Sequence, residues 1–410
     1  MSSRLAERTA RVPWDSPTVR VVLASTFLAP LGVPLVSPAL PVVRDAFGVG
    51  DAQASLLVSA YFLTGILLSP FIGALTDRIG RRHVLVGSLL VFGVTGGAIA
   101  LAPTFDVVVA LRVVQGTAAA GIFVTTVTLI ADAYEGAQRN AVLGANVAVL
   151  SLGAAVFPVV GGAAVAFSWN APFALYLVAV PMALVAWRTL DPSRPDEYER
   201  GLRYVREALS ALPAVDAVAL YGAAFGLELL LFGSIVTATP FLLAAEGVLP
   251  VVVGLVLLST ELVSIPVSML NGRFARHVSN GGLVAAGFAC FGLGLAVLWA
   301  APSVVVVAVG AAVFGAGLGL SMPAIDAAVS DLVTADHRAG ALGLRNSATF
   351  LGRATGPVAF TALAVTTGYE PLLFAGAVAA LCVAAVAALA GPVTRRRRAG
   401  DEADGPVGGA

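Results

Sequence analysis

The chain is short of charge. Only 12% of its 410 residues are Asp, Glu, Lys or Arg, about half of what a soluble domain of this size carries. Its 24 basic residues, every one an arginine, balance 24 acids. A net charge of zero excludes nucleic acid as an implied partner. There is no Gly-Lys-Ser/Thr loop, so ATP is not the energy source. Histidine is scarce: His83, His277 and His337 are too few and too scattered for a zinc or catalytic cluster, and no metal, cofactor or enzymatic activity is expected. The two cysteines, Cys290 and Cys382, fall inside apolar runs, where small buried residues are the default and a disulfide is not expected. No cleavable signal peptide is expected, because the first 20 residues are polar and Arg-bearing and the first apolar run is long enough to span a bilayer.

What fills the chain is apolar. It is 58% hydrophobic with a mean hydropathy of +0.93, in repeated runs of about 20 residues, the length that crosses a bilayer. The 44 glycines and 23 prolines fit transmembrane helices, which tolerate both. The expected fold is an all-α membrane protein of twelve spans. They lie near 19–41, 54–76, 83–102, 107–130, 141–167, 171–189, 214–238, 250–271, 281–300, 303–328, 341–366 and 371–391. Twenty arginines fall at one end of these spans, including Arg4, Arg78, Arg81, Arg139, Arg200, Arg273, Arg338 and Arg395–Arg398. Arg44 is the one expected at the other end, and Arg112, Arg345 and Arg353 lie within spans. The positive-inside bias then places both termini in the cytoplasm.

The expected domains are a cytoplasmic segment 1–18, a six-helix half 19–189, a cytoplasmic loop 190–213, a second six-helix half 214–391 and a disordered cytoplasmic tail 392–410. Within the loop, Leu202, Val205, Leu209 and Leu212 recur at helical spacing and predict a surface amphipathic helix over Pro195–Leu212. The halves repeat at an offset of 199: Gly116/Gly315, Asp132/Asp331, Arg139/Arg338, Gly144/Gly343, Gly153/Gly352 and Pro158/Pro357. An apolar background does not generate matched Asp, Arg, Gly and Pro at one offset, so the halves are a duplication.

Between spans 2 and 3 the chain reads Gly73-Ala74-Leu75-Thr76-Asp77-Arg78-Ile79-Gly80-Arg81-Arg82-His83-Val84-Leu85. This resembles, over its whole length, the signature loop of the major facilitator superfamily. A degraded copy, Gly272-Arg273-Phe274-Ala275-Arg276-His277, follows span 8. The resemblance covers nearly the whole chain and implies a secondary transporter with its substrate site at mid-membrane between two pseudo-symmetric halves. It also implies gating at the cytoplasmic face by Gly73, Asp77, Arg78, Gly80 and Arg81, with Asp132 as a further member. The bland alternative is a basic loop that only fixes topology.

Arg112, in Leu111-Arg112-Val113-Val114-Gln115-Gly116, resembles the family's span-4 arginine, implicated in proton coupling. Its other reading is a side chain snorkelling to the outer interface. Span 1 offers it no acid. In span 5, Gly144, Gly153, Phe157-Pro158 and Gly161-Gly162 resemble the motif of the antiporter branch, with Phe157 where that motif has glycine. Such a helix packs tightly and bends. Generic small-residue packing is the competing reading, and the echo in span 11 suits inherited geometry. Glu228, Glu261, Asp326 and Arg353 are the other intramembrane candidates for proton coupling or substrate contact. Arg345 and Arg353, eight residues apart on one face, are also readable as structural partners of Asp326 or Glu261. Tyr221 shares a face with Glu228 and suits a cavity lining or simple packing equally.

The expectation is a monomeric, proton-coupled efflux antiporter in the plasma membrane, with small amphipathic or hydrophobic organic substrates, similar to the twelve-span drug:proton antiporters. The alternatives are a symporter or uniporter for a metabolite and, more distantly, a non-transporting sensor or lipid-handling protein. Spans poor in Asn, Gln and Trp weigh against sugars.

Overall fold

The computed structural model describes residues 11–192, 214–334 and 337–403. The loop helix expected over Pro195–Leu212 lies outside the described residues. Eleven helical segments there are long and apolar enough to cross a membrane. They are α1 (Pro17–Phe47), α3 (Arg81–Leu101), α4 (Phe105–Ala133), α5 (Gly136–Ala164), α6 (Ala171–Thr189), α7 (Val215–Ala245), α8 (Pro250–Phe274), α9 (Asn280–Trp299), α10 (Val304–Asp331), α11 (Gly340–Thr367) and α12 (Tyr369–Leu389). The 24-residue helix Leu56–Ile79, α2, stands where the second span was expected. The helix of α12 runs on to Ala403, past residue 392, where a disordered tail was expected to begin. Four consecutive arginines, Arg395–Arg398, lie in that stretch, and arginine is a good helix former.

Among the described residues α6 carries a 3-10 stretch at Leu175–Val178, and the first span of each half is broken more deeply. α1 is helical over Pro17–Leu28 and Leu40–Phe47, with tight 3-10 turns at Ala29–Gly32 and Ser37–Ala39 between. Pro30, Pro34 and Pro38 remove three backbone donors in nine residues, so no regular ladder passes through. α7 carries a π-helical stretch over Leu231–Ala238, followed by Pro240 in the first turn of Thr239–Ala245. Backbone carbonyls freed by such breaks are available to other helices, and both breaks are used in this way. Ser37 Oγ in the α1 break donates to Val236 O in the π stretch.

The duplication is a packing rule. A Cβ at Gly153 of α5 would sit 2.9 Å from Phe27 O of α1, and one at Gly352 of α11 would sit 2.5 Å from Phe225 O of α7. The repeated glycines thus let each fifth helix lie against the backbone of each first helix, the close approach that small residues allow between spans. Gly161 does the same against Leu35 O. Gly144, expected in this packing motif, does not pack: nothing lies within 4 Å of a Cβ placed there, nor at its mate Gly343. Both are exposed, while Val142 and Asn146 beside the first and Ala341 and Arg345 beside the second are buried, so each glycine lies on the outward side of its helix. Phe157, which replaces the motif's glycine, fills space instead, its ring 4.9 Å from that of Phe27.

Among the described residues two large cores result, with smaller clusters beside them. One surrounds Leu35, Leu57, Phe92 and Tyr176 of the first half and reaches Phe232 and Phe241 of the second, and the other surrounds Phe288, Phe291 and Phe314 in the second.

Candidate functional site: a charged cluster between two helical halves

At the Asp77 end, Gly80 turns the chain with φ +89° between α2 and α3. Arg81, first residue of α3, is buried there. Its Nε lies 2.8 Å from Asp132 Oδ2 at the end of α4, and its Nη2 lies 3.2 Å from Asp77 Oδ1. Asp132 therefore joins the Asp77–Arg81 cluster. Arg78 is exposed. In the second half Arg345 Nε lies 2.8 Å from Asp326 Oδ1, so of the partners open to Arg345 the structure selects Asp326. Each pair stays within its own half. Tyr221 donates to Ala341 O at 3.1 Å, which ties α7 to α11.

Arg112 is wholly buried and does not snorkel. Its Nε donates to Leu57 O at 2.6 Å and its Nη2 to Gly32 O at 2.5 Å. Its Nη1 donates to Gln115 Oε1 at 2.8 Å and to Tyr176 Oη at 3.2 Å. The guanidinium also lies 4.7 Å from the ring centre of Tyr61. One side chain thereby fastens the α1 break to α2, α4 and α6. Its partners are neutral acceptors, and two of them are backbone carbonyls that no motif marks.

Midway along α7 and α11, Arg353 forms a two-pronged ion pair with Glu228. Nε to Oε2 is 3.0 Å and Nη2 to Oε1 is 2.8 Å. This fork geometry is the strong form of the contact. Glu228 is Arg353's partner, not Asp326 or Glu261 as the sequence reading allowed. Three phenyl rings surround the guanidinium, with centres 5.6 Å (Phe62), 5.4 Å (Phe232) and 5.6 Å (Phe350) away. Phe62 belongs to α2 of the first half, so the cluster spans both halves. Glu228 is 1% exposed and Arg353 26%. Glu261 on α8 is half-buried and within electrostatic reach of both.

The Asp51 end holds a set the sequence reading missed. Arg44 reaches Asp45 and Asp51 at 2.8 Å each and lies 5.6 Å from the ring of Phe241 in α7. Tyr369 Oη, at the start of α12, donates to Asp51 Oδ2 at 2.7 Å, and Thr361 donates to Ser55 Oγ at 3.0 Å. A Cβ at Gly162 of α5 would overlap Pro250 O of α8, and one at Gly254 of α8 would overlap Pro158 O. The two halves are thus joined at this end. The isolation of Arg44 from all the other arginines was the one signal that pointed here.

Twelve spans in two related halves, meeting at one end and around a central ion pair, define a multi-pass membrane carrier. The family model of the Major Facilitator Superfamily matches residues 22–281 and 220–407, and the chain belongs to that superfamily of transporters. The Bacillibactin exporter of Bacillus subtilis (strain 168) is 26% identical over 354 residues, 81% of this chain and 86% of that protein. Quinolone resistance protein NorA of Staphylococcus aureus is 31% identical over 169 residues, 40% of this chain and 44% of NorA, so that match spans under half of the relative's length. Among solved structures, a bacterial homolog of the human lysosomal transporter Spinster, inward-facing and unoccupied, superposes with a TM-score of 0.74 at 16% identity, covering 92% of this chain and 96% of that one. A point mutant of the nucleoside transporter NupG gives 0.75 at 11% identity, covering 91% and 99%. These two likenesses are of fold alone.

Proposed function

We propose that the protein is a proton-coupled efflux antiporter of small amphipathic or hydrophobic organic compounds, working by alternating access in the plasma membrane as a monomer. The observation that carries this reading is the cluster of Glu228, Arg353 and Glu261 where the halves meet, under a lining of phenyl rings. A carboxyl there is neutral when protonated and charged when not, and its exchange of a proton biases which end of the cavity is open. Similarity to exporters supports the outward direction of transport. With the arginine-rich end in the cytoplasm, the Asp51 end is the closed outer face and the structure is inward-facing. The Asp77–Arg81–Asp132 cluster, held in one half here, then serves the inner gate of the opposite state. Asp326 and Arg112 act on coupling through the helices they hold.

The test is drug-triggered proton movement in everted vesicles. With an imposed proton gradient, adding a substrate from a panel of lipophilic cations and neutral drugs is expected to release lumenal protons, read by a pH dye. Glu261→Gln and Glu228→Gln are each expected to abolish the response. Responses unchanged in both variants sink the central cluster as the coupling site, and no response to any compound sinks antiport of this substrate class.

A further inference from the structure

The geometry around Arg353 is that of an occupied cation site. A carboxylate grips the guanidinium edge with two hydrogen bonds, and three aromatic rings lie within the roughly 6 Å over which an aromatic face attracts a cation. The same set suits any delocalised or quaternary organic cation. The occupant is not walled in. Arg353 is 26% exposed, whereas Arg112 has no exposure at all, and Arg353 sits on a long flexible stem. A second acid waits beside it. Among the described residues Glu261 has no hydrogen-bond or ion-pair partner, and the charged groups that act on it are Glu228 of α7 and Arg353 of α11. Two acids thus share one base.

We propose that Arg353 is a tethered stand-in for substrate: an organic monocation binds by taking its place between Glu228 and the rings of Phe62, Phe232 and Phe350, and Arg353 moves to Glu261 and expels its proton. The inference rests on the antiport reading and names its substrate class. The charges balance. Before binding, Arg353 neutralises Glu228 and Glu261 carries a proton. After binding, the cation neutralises Glu228 and Arg353 neutralises Glu261, because a guanidinium pairs with a carboxylate and not with a carboxylic acid. The proton leaves to cavity water. No bond other than O–H breaks, and exchange is one proton for one monocation, with no net charge moved. Phe62 comes from the opposite half, so an occupant bulkier than a guanidinium displaces a ring on which the two halves meet. Binding is thereby linked to the relation between the halves.

The test uses the purified full-length carrier in lightly buffered detergent, with tetraphenylphosphonium as probe, its affinity followed by equilibrium binding and protons by a pH dye. Wild type is expected to release about one proton for each cation bound. Glu261→Gln is expected to keep binding and lose the release. Arg353→Gln, which removes the competitor, is expected to bind about tenfold more tightly at a pH where Glu228 is ionised, and to leave the Glu261 proton in place, any proton released at lower pH coming from the buried Glu228 that has lost its counter-charge. Glu228→Gln is expected to lose binding. Arg353→Lys keeps the charge without the planar fork, and an affinity between those of wild type and Arg353→Gln is expected. Weaker binding by Arg353→Gln, while Arg353→Lys remains folded and binds like wild type, overturns the proposal. So does undiminished proton release from Glu261→Gln. If the probe binds no variant while vesicles still exchange neutral drugs for protons, the cation site falls and antiport stands. If binding and release occur as expected but vesicles exchange nothing, antiport falls and the site stands.

Discussion

Replacing Arg112 with leucine is expected to cost the folded carrier about 3–5 kcal/mol, read as a large drop in thermal midpoint in detergent and in the yield of monodisperse protein. The side chain is entirely buried and supplies the donors for Leu57 O, Gly32 O, Gln115 Oε1 and Tyr176 Oη. Leucine fills part of the volume, leaves Gln115 Oε1 without this donor, and leaves Gly32 O with only the 3.1 Å bond from Tyr176 Oη where water does not reach. The α1 break depends most on this residue, because Gly32 O lies in the 3-10 turn and has no ladder of its own. Arg112→Lys keeps the charge but not the fork that reaches several partners at once, and is expected to recover only part of the loss. A purely proton-carrying arginine predicts the reverse: normal stability with uncoupled transport. An Arg112→Leu carrier that melts like wild type but moves no protons would rule out the fastening role.

The second large effect is expected from Gly162→Val. Where the halves meet at the Asp51 end a Cβ at this position overlaps Pro250 O of α8. Both the atom and its neighbour are held by helical backbone, so the clash is relieved only by separating α5 from α8. A penalty of about 3 kcal/mol confined to the state in which the halves meet at the Asp51 end shifts the equilibrium roughly a hundredfold toward the state in which that end is open. Asp51→Asn is expected to push the same way by a smaller amount, since it weakens both the Arg44 ion pair and the Tyr369 hydrogen bond. With Cys290 and Cys382 replaced, a single cysteine at Ser55 reports the change as faster labelling by a membrane-impermeant maleimide from outside. Labelling that is not accelerated in Gly162→Val would show that the contact is not a determinant of outer closure.

The spans were legible because each is a run of apolar residues near bilayer length, and that signal does not depend on what the run touches. The Asp77–Arg81 pair was legible for a similar reason, since its members are four residues apart on one turn of chain. The glycines at an offset of 199 were visible as a repeat, but their purpose was not. Gly153 and Gly352 meet a helix backbone while Gly144 and Gly343 meet nothing, and the residue type is identical at all four. Arg112 stood out as a charge within a span, yet its shortest hydrogen bonds go to carbonyl oxygens, which every residue possesses and no sequence marks. The Arg44–Asp51–Tyr369 set joins residues 318 positions apart at its widest hydrogen bond and has no periodicity to betray it.

Hydropathy and the matched residues at an offset of 199 therefore determined by themselves a chain of twelve spans in two related halves, and the one charged loop carried the resemblance to the Major Facilitator Superfamily. The spans follow from the solvent each segment requires, and a segment requires its solvent whatever its neighbours are. Which charge neutralises which was decided only by the tertiary structure. Glu228 and Arg353 lie 125 residues apart, and the carboxyl had other arginines to choose from. Their pairing, the phenyl rings around it and the second carboxyl of Glu261 beside it exist because α7, α8 and α11 converge with α2. A buried charge has to find its counter-charge in space, and the order of residues along the chain does not say where that will be.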